Sequence, residues 1–243
     1  MGAAQPDLVA AVPAARRAEA TQATRAAAMR LRLGPWAADE LHGPPGHLGL
    51  LVLEGLLSRE VQVAHRSCVE LLGAGDVVRP WDALTDDSSI TIDARWTVQS
   101  EVRMAVLDRA FALQIGRFPE VTSALMHRLV RRSRWLAFHL AVCHLPQLSV
   151  RLRVVLWYMA DRWGRVTPDG VLLPLRLSHE LLGGLVGATR SPVTRAVGRL
   201  RRAGELRRLP DATWLLTGER PTELPEIHDR AAGVASVPSP REA

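Results

Sequence analysis

Between Pro119 and Pro146 the sequence holds one long apolar stripe, and no other feature constrains the chain as much. Val121, Leu125, Leu129, Leu136, Leu140 and Cys143 recur at spacings of four, seven and three residues. That is the repeat of one helical face over about six turns. Pro119 fits a first helical turn, where its missing N–H costs nothing, and Pro146 stops the helix. Arg128, Arg131, Arg132 and Arg134 mark the opposite, solvated side. A rod of that length needs a long surface to cover its apolar face. The spacing predicts a helix over 119–145, resting partly on the segment before it and partly on the same helix of a second chain. Packing wholly within one chain is the alternative.

The flanking segments follow different rules. Residues 1–45 are rich in Ala, Arg and Pro and end on the breaker Gly43-Pro44-Pro45-Gly46. They read as a poorly ordered leader. Met29 stands just ahead of the first structured-looking stretch, so the first 28 residues fit an over-long reading frame, with a transit peptide as the alternative. From 46 to 118, short apolar runs (Leu48–Leu53, Val61–Ala64, Val69–Leu72, Ile90–Trp96, Val102–Leu107) alternate with turn signals. The turns are Gly73-Ala74-Gly75-Asp76 and Thr85-Asp86-Asp87-Ser88-Ser89. Such punctuation suggests a small antiparallel roll or barrel.

Past Pro146, Ser149 is a candidate N-cap for a helix carrying Val150, Val154, Val155, Tyr158 and Met159. Pro168-Asp169-Gly170 marks a hairpin turn before the apolar run Val171–Leu177. Ser178 can cap a short helix with apolar Leu181, Leu182, Leu185 and Val186, and Gly187 breaks it. Thr189 can cap a second helix that turns Val193, Ala196, Val197 and Leu200 inward, with Pro192 in its first turn. A hairpin turning at Pro210-Asp211 completes a winged helix-turn-helix over 148–217. A flexible tail, 218–243, follows.

Every basic residue is Arg: 31 against 25 acids, a formal charge of +6. Residues 176–209 hold eight Arg and two acids, Glu180 and Glu205, so this stretch alone carries the whole excess. A concentrated positive patch on such a frame is the footprint of a polyanion-binding surface. Arg190 and Arg195 flank one face of the second helix, ~140° apart by helical rotation. Arg can fork onto guanine O6 and N7, and Ser191 can reach a base or a phosphate. Thr189, Ser178 and His179 sit at helix starts, where backbone N–H groups favour phosphate. Arg199, Arg201 and Arg202 add attraction that is independent of base sequence.

Other classes fit less well. With 47% hydrophobic and 23% charged residues, the chain can build a core and is neither collagen-like nor largely disordered. Two cysteines, Cys68 and Cys143, cannot make a disulfide framework, which fits a reducing, cytoplasmic setting. They are also too few for an iron–sulfur cluster. His139 and Cys143 stand one turn apart, a spacing that can hold a metal, but a small buried Cys explains the position as well. Haem through His47 or His65 has less support still. No apolar run reaches membrane-spanning length. No Gly-rich phosphate loop, nucleophile elbow or His-Glu-x-x-His occurs, so the chain does not read as an enzyme. The competing reading is a cupin-like metal-dependent enzyme, or a small-ligand-binding module with only non-specific DNA affinity. His42, His47 and His65 lack the carboxylate pattern such a metal site uses.

The motifs of the last third carry a resemblance. Thr167-Pro168-Asp169-Gly170, Leu185-Val186-Gly187-Ala188-Thr189-Arg190 and Val193-Thr194-Arg195-Ala196-Val197-Gly198-Arg199-Leu200 make Leu148–Leu216 similar to the DNA-binding domain of the catabolite-activator (Crp/Fnr) family of bacterial transcription regulators. The order of roll, long helix and winged helix-turn-helix extends the resemblance to residues 46–217. It implies an α+β chain with an N-terminal cyclic-nucleotide-binding-like antiparallel β-roll, a dimerisation helix and a C-terminal winged domain. It also implies a homodimer on an inverted repeat in double-stranded DNA, with RNA polymerase as a further partner and a small-molecule effector of unknown identity. In the family, positions matching Arg190, Ser191 and Arg195 read bases, and those matching Ser178, His179 and Thr189 approach phosphates. The family's activator member has Glu at the position of Ser191. Without that acceptor for cytosine N4, the DNA sequence read here should differ.

The roll departs from the family pattern. Cyclic-nucleotide-binding relatives have a cassette resembling Gly-Glu-Leu followed by Arg-Ser-Ala. Its carboxylate takes the ribose hydroxyl, and its Arg neutralises the cyclic phosphate. Here the region reads Arg79-Pro80-Trp81-Asp82 and then Ser88–Trp96, with no Gly-Glu pair before it. Ile92 falls where that Arg is expected when Ser100–Ala105 is matched to the following strand. Arg79 and Arg95 are the candidate substitutes. The expectation is a regulator that needs neither cyclic AMP nor a cofactor. Trp81 and Trp96 fit packed core better than the wall of another ligand pocket.

Overall fold

The structure is a computed structural model that describes residues 6–38, 41, 43–63, 66–81 and 94–222. His42, His65, Asp82, Ile92, the Thr85–Ser89 turn and the tail from 223 onward lie outside those residues.

The opening segment is not the loose leader its composition suggests. A 3₁₀ turn (Pro6–Val9), helix α1 (Ala14–Ala23) and strands β1 (Ala27–Leu31) and β2 (Gly34–Trp36) form there. Leu8, Val9, Val12, Ala20 and Ala23 are buried in one cluster with Phe111, Phe118 and Val121. Alanines at positions 20 and 23 give a flat helical face that lies close against a neighbour, so an Ala-rich stretch supplies core rather than disorder. Arg16 fastens the segment: its guanidinium donates to the Arg117 carbonyl at 2.8 Å and lies 4.9 Å from the centre of the Phe118 ring.

The roll is built from β3 (Gly49–Val63), β4 (Arg66–Gly73), β5 (Val77–Val78) and β6 (Ala94–Leu107). Its antiparallel order is β1-β6-β3-β4, with β2 also on β6 and β5 also on β3. Two strands are far longer than the runs expected from sequence. In β3 the stretch around Glu54 and Gly55 continues the strand through register shifts between Val52 and Leu57, which bend it without ending it. Glu54 is an outward position paired with Arg103 of β6 at 2.5 Å. Glu54, just past the expected run Leu48–Leu53, is thus on the solvent face of a continuous strand.

Helix α2 (Arg109–Ile115) starts on Asp108, whose carboxylate accepts from the Phe111 N–H at 2.8 Å. Helix α3 (Pro119–Cys143) has Pro119 in its first turn, as expected. Its apolar stripe divides. Val121 and Leu125 pack on the roll and opening segment. Met126, Leu129, Val130, Leu136 and Leu140 are exposed, Leu140 by 64%. The side that faces inward lower down carries Trp135, His139 and Val142 instead. The arginines expected to be solvated divide too. Arg128 is only 6% exposed and donates to the Gly75 carbonyl at 2.9 Å and to Asp7. Arg132 forks onto Glu70 of β4 at 2.7 and 2.9 Å.

The last third comprises α4 (Leu148–Trp163), β7 (Arg165–Thr167), β8 (Gly170–Leu173), α5 (His179–Val186), α6 (Arg190–Arg202), β9 (Leu206–Arg208) and β10 (Trp214–Leu216). Gln147, not Ser149, is the N-cap of α4; Ser149 lies inside the first turn. The four strands form a second antiparallel sheet, β7-β8-β10-β9. This unit and the roll share one core: Leu56, Val69 and Leu71 of the roll cluster with Trp135, Leu152, Leu182 and Val193. The approach is close at Gly184, where an added Cβ would stand 2.3 Å from Val69 Cγ2. Two buried carboxylates seal the junction. Glu70 binds Arg132 and, at 3.3 Å, Arg59. Asp76 accepts from the Gly73 N–H at 2.8 Å and from Arg162 of α4 at 2.6 Å. Asp76→Ala should therefore lower stability by about 3 kcal/mol in urea unfolding of the full chain, the low end for a broken buried pair because Arg162 keeps some contact with water. A change of only a few tenths would contradict the role given to this pair.

Candidate nucleic-acid interface

The motif begins where Ser178 ends the connection from β8. Its Oγ accepts from the Leu181 N–H at 3.1 Å, the N-cap bond that starts α5. Gly187 ends α5 with φ +64° and ψ 38°, the left-handed conformation that a glycine adopts freely and most residues do not. Thr189 then takes the N-cap backbone conformation of α6, but its side chain makes no capping bond. The expected cap is thus met by position and not by the hydroxyl.

Helix α6 is sharply two-sided. Val193, Ala196, Val197 and Leu200 are buried, while Arg190, Ser191, Thr194, Arg195 and Arg199 face solvent. Two rows run down the open face. Ser191, Arg195, Arg199 and Arg202 lie at helical spacings of four and three, and Arg190, Thr194 and Arg201 lie beside them. Arg195 donates to Ser191 Oγ at 3.1 Å, so two of the three expected base-reading side chains are already joined. The basic residues in the last turn, Arg199, Arg201 and Arg202, also suit the negative end of the helix dipole.

Residues beyond the expected set contribute. Thr194 donates to the Arg190 carbonyl at 3.0 Å and meets His179 Nδ1 at 2.9 Å, tying the start of α5 to α6. Thr194 stands inside the motif Val193–Leu200, but an uncharged threonine carries no local mark of a link to α5. Arg208 of β9 lies 5.6 Å from the centre of the Trp214 ring, and that ring is 6.3 Å from His179. Partial burial first, and then the positive charges of Arg208, Arg190 and Arg201, hold the His179 imidazole below its ordinary range. Glu205, one of the two acids in this region, is occupied by Arg153 at 3.4 Å.

The roll offers a different picture. Trp36, Trp81, Trp96, Val98 and Met104 pack together inside it, with Trp36 and Trp96 edge to face at 5.6 Å. Arg79 donates to the His47 carbonyl at 2.7 Å. Arg95 lies 3.1 Å from Gln62 and 3.6 Å from Glu60 on the outer surface. An apolar cavity of about 360 Å³ lies outside that cluster, between the roll and α3, with Leu107, Ile115, Leu125 and Leu129 in its wall. His139 is buried; a ring nitrogen contacts the Leu185 carbonyl, and the ring stacks on Trp135 at 5.3 Å. Burial pushes the Cys68 and Cys143 thiols up, away from the thiolate a metal would need. Among the described residues no group of three His, Cys, Asp or Glu is placed to hold a metal ion.

The family description of a Crp-like helix-turn-helix domain matches residues 150–217. Regulatory protein CysR of Synechococcus elongatus is 31% identical over 83 residues, which are 33% of this chain and 40% of that protein. The matched stretch is a Crp-like helix-turn-helix domain. A likeness of fold extends beyond the matched domain. A CooA mutant from Carboxydothermus hydrogenoformans aligns with a TM-score of 0.60 at 20% identity, over 79% of this chain and 84% of that one. A cyclic nucleotide-binding domain containing protein from Listeria monocytogenes aligns with a TM-score of 0.62 at 15% identity, over 79% and 89%.

Proposed function

We propose that this chain is a sequence-specific DNA-binding transcription regulator of the Crp/Fnr family that acts as a homodimer on an inverted repeat and does not depend on cyclic AMP. One observation carries the reading above others: α6 buries four apolar residues and turns Arg190, Ser191, Arg195 and Arg199 to solvent. That is the arrangement a major-groove helix needs, with long donors near its N-terminal half. Arg190, Ser191 and Arg195 are the proposed base readers. Ser178, His179 and Thr189, at the starts of α5 and α6, are the proposed phosphate contacts. Arg199 adds charge at the edge.

The exposed stripe of α3 supports the dimer. Met126, Leu129, Val130, Leu136 and Leu140 form one face of a helix that the other described residues leave exposed to solvent, and a second copy of α3 covers it by the same pattern. Such a pair sets two recognition helices roughly 34 Å apart, one duplex turn. Freedom from cyclic AMP is supported by the indole-filled roll and by Arg79 and Arg95, which are engaged elsewhere. A signal that acted on the roll would shift the population of α3 orientations and so the spacing of the readers. Without one, the DNA-competent form is constitutive. No described helix is long and apolar enough to cross a membrane, and the proposal places the chain in the cytoplasm with its DNA and gives it no catalytic role.

Three outcomes are expected. After selection of bound fragments from genomic DNA, Arg195→Ala should weaken binding to the selected site by about 1–3 kcal/mol and relax preference at one base pair per half-site; an equal loss on every sequence would argue against base reading. Cyclic AMP should leave the dissociation constant unchanged, and a saturable tightening would overturn that part. Leu136→Glu should yield a folded monomer in sedimentation, whereas an unaltered dimer would remove α3 from the interface.

A further inference from the structure

The hydrogen bond that joins the two helices of the reader has a fixed direction. Thr194 has a single hydroxyl proton, and that proton goes to the Arg190 carbonyl at 3.0 Å. In the 2.9 Å contact between Thr194 Oγ1 and His179 Nδ1, the threonine oxygen must then accept and the imidazole must donate. Nδ1 carries the hydrogen. A neutral imidazole has only one ring proton, so Nε2 is left as an acceptor. No hydrogen bond to a described residue engages it.

A phosphate oxygen is an acceptor as well. Two acceptors face one another with no hydrogen between them, so the neutral ring, held in this tautomer, cannot bind a phosphate. The protonated ring can, because both nitrogens then donate. His179 is the first residue of α5, directly after the Ser178 cap. The positive charges of Arg190 and Arg201 on α6 and of Arg208 on β9 act on it, the Trp214 ring on β10 lies 6.3 Å away, and exposed Glu180 is next to it on its own helix.

We propose that DNA binding by this chain takes up one proton at each His179, whose imidazolium keeps Nδ1–H on Thr194 and donates Nε2–H to a backbone phosphate. The proposal rests on the DNA-binding reading above. The proton comes from solvent, and no covalent bond changes. In the free protein, burial and the neighbouring guanidinium groups lower the ring's affinity for a proton. A phosphate on the ring, with others offsetting Arg190, Arg201 and Arg208, raises its affinity for a proton in the complex. The sign follows by linkage: binding is tightest at acid pH and weakens as pH rises from the free-protein value to the complexed value, above which it levels off. The limit is about tenfold per pH unit for each half-site. Thr194 is a positioning residue here, since it sets the tautomer.

The test uses the full chain and a random-sequence duplex of roughly 30 base pairs, long enough for two half-sites. Fluorescence anisotropy at constant ionic strength gives the dissociation constant between about pH 5 and pH 8, the range over which imidazole titrates. Binding should weaken by about tenfold or more across that range. His179→Gln should bind weakly and His179→Arg tightly, both with the slope removed. Thr194→Val should bind better at the alkaline end and show a shallower slope, because the neutral ring can then place its hydrogen on Nε2. A wild-type affinity that does not vary with pH, or a slope that survives in His179→Gln, overturns the proposal and leaves the DNA-binding reading standing. Failure to bind the duplex at any pH overturns the DNA-binding reading itself.

Discussion

Two carboxylates with almost no exposure, Glu70 and Asp76, hold the arrangement together. Each sits on or just beyond β4 of the roll, and each is matched by a guanidinium from elsewhere: Arg132 on α3 for Glu70, Arg162 on α4 for Asp76. A buried carboxylate is costly unless it is paired and hydrogen-bonded. The pairs therefore specify one relative placement of roll, long helix and reader, since other placements leave a charge stranded in the interior. Aromatic stacking of Trp135 on Tyr158, 4.3 Å between ring centres, adds contact area beside the charges. The two kinds of interaction differ in reach: the rings supply non-directional burial, and the forked Arg132–Glu70 pair supplies geometry.

Much of the reader was legible because its signals are local. Ser178, Gly187, the inward set Val193, Ala196, Val197 and Leu200, and the turn at Pro168-Asp169-Gly170 each act within a few residues, and the structure has them in those positions. The family resemblance rested on the same stretch and was confirmed there. Long-range matters were hidden. Nothing local distinguishes Arg128 and Arg132, which reach into the roll, from exposed Arg134; their partners lie some 50 to 120 residues away. The opening segment failed for the opposite reason. Its Ala and Arg content is what disorder looks like by composition, and its order comes from Phe118 and Val121 much later in the chain. The contacts of Thr194 with the Arg190 carbonyl and with His179 depend on which atom donates, and a residue pattern does not carry that.

The site also shows how little of a basic surface is simply positive. Arg195 is held by Ser191, Arg208 lies over Trp214, and Arg202 donates to the Gly198 carbonyl at 3.3 Å. Each constraint reduces the rotamer freedom that a long side chain would otherwise lose on meeting DNA. Preorganised donors discriminate between base edges better than mobile ones, because a misplaced partner cannot be followed.

The shared core has a consequence for how such a module can be moved between proteins. Val69 lies against Gly184, and Leu56, Val69 and Leu71 of the roll are members of the same apolar cluster as Leu182 and Val193. The reader is not a portable cassette. Grafted behind a foreign sensor, it would keep its own strands and helices but present an unsealed apolar edge. A chimera built by joining segments at Pro146 would need a donor strand that places apolar side chains where Leu56, Val69 and Leu71 cover that edge.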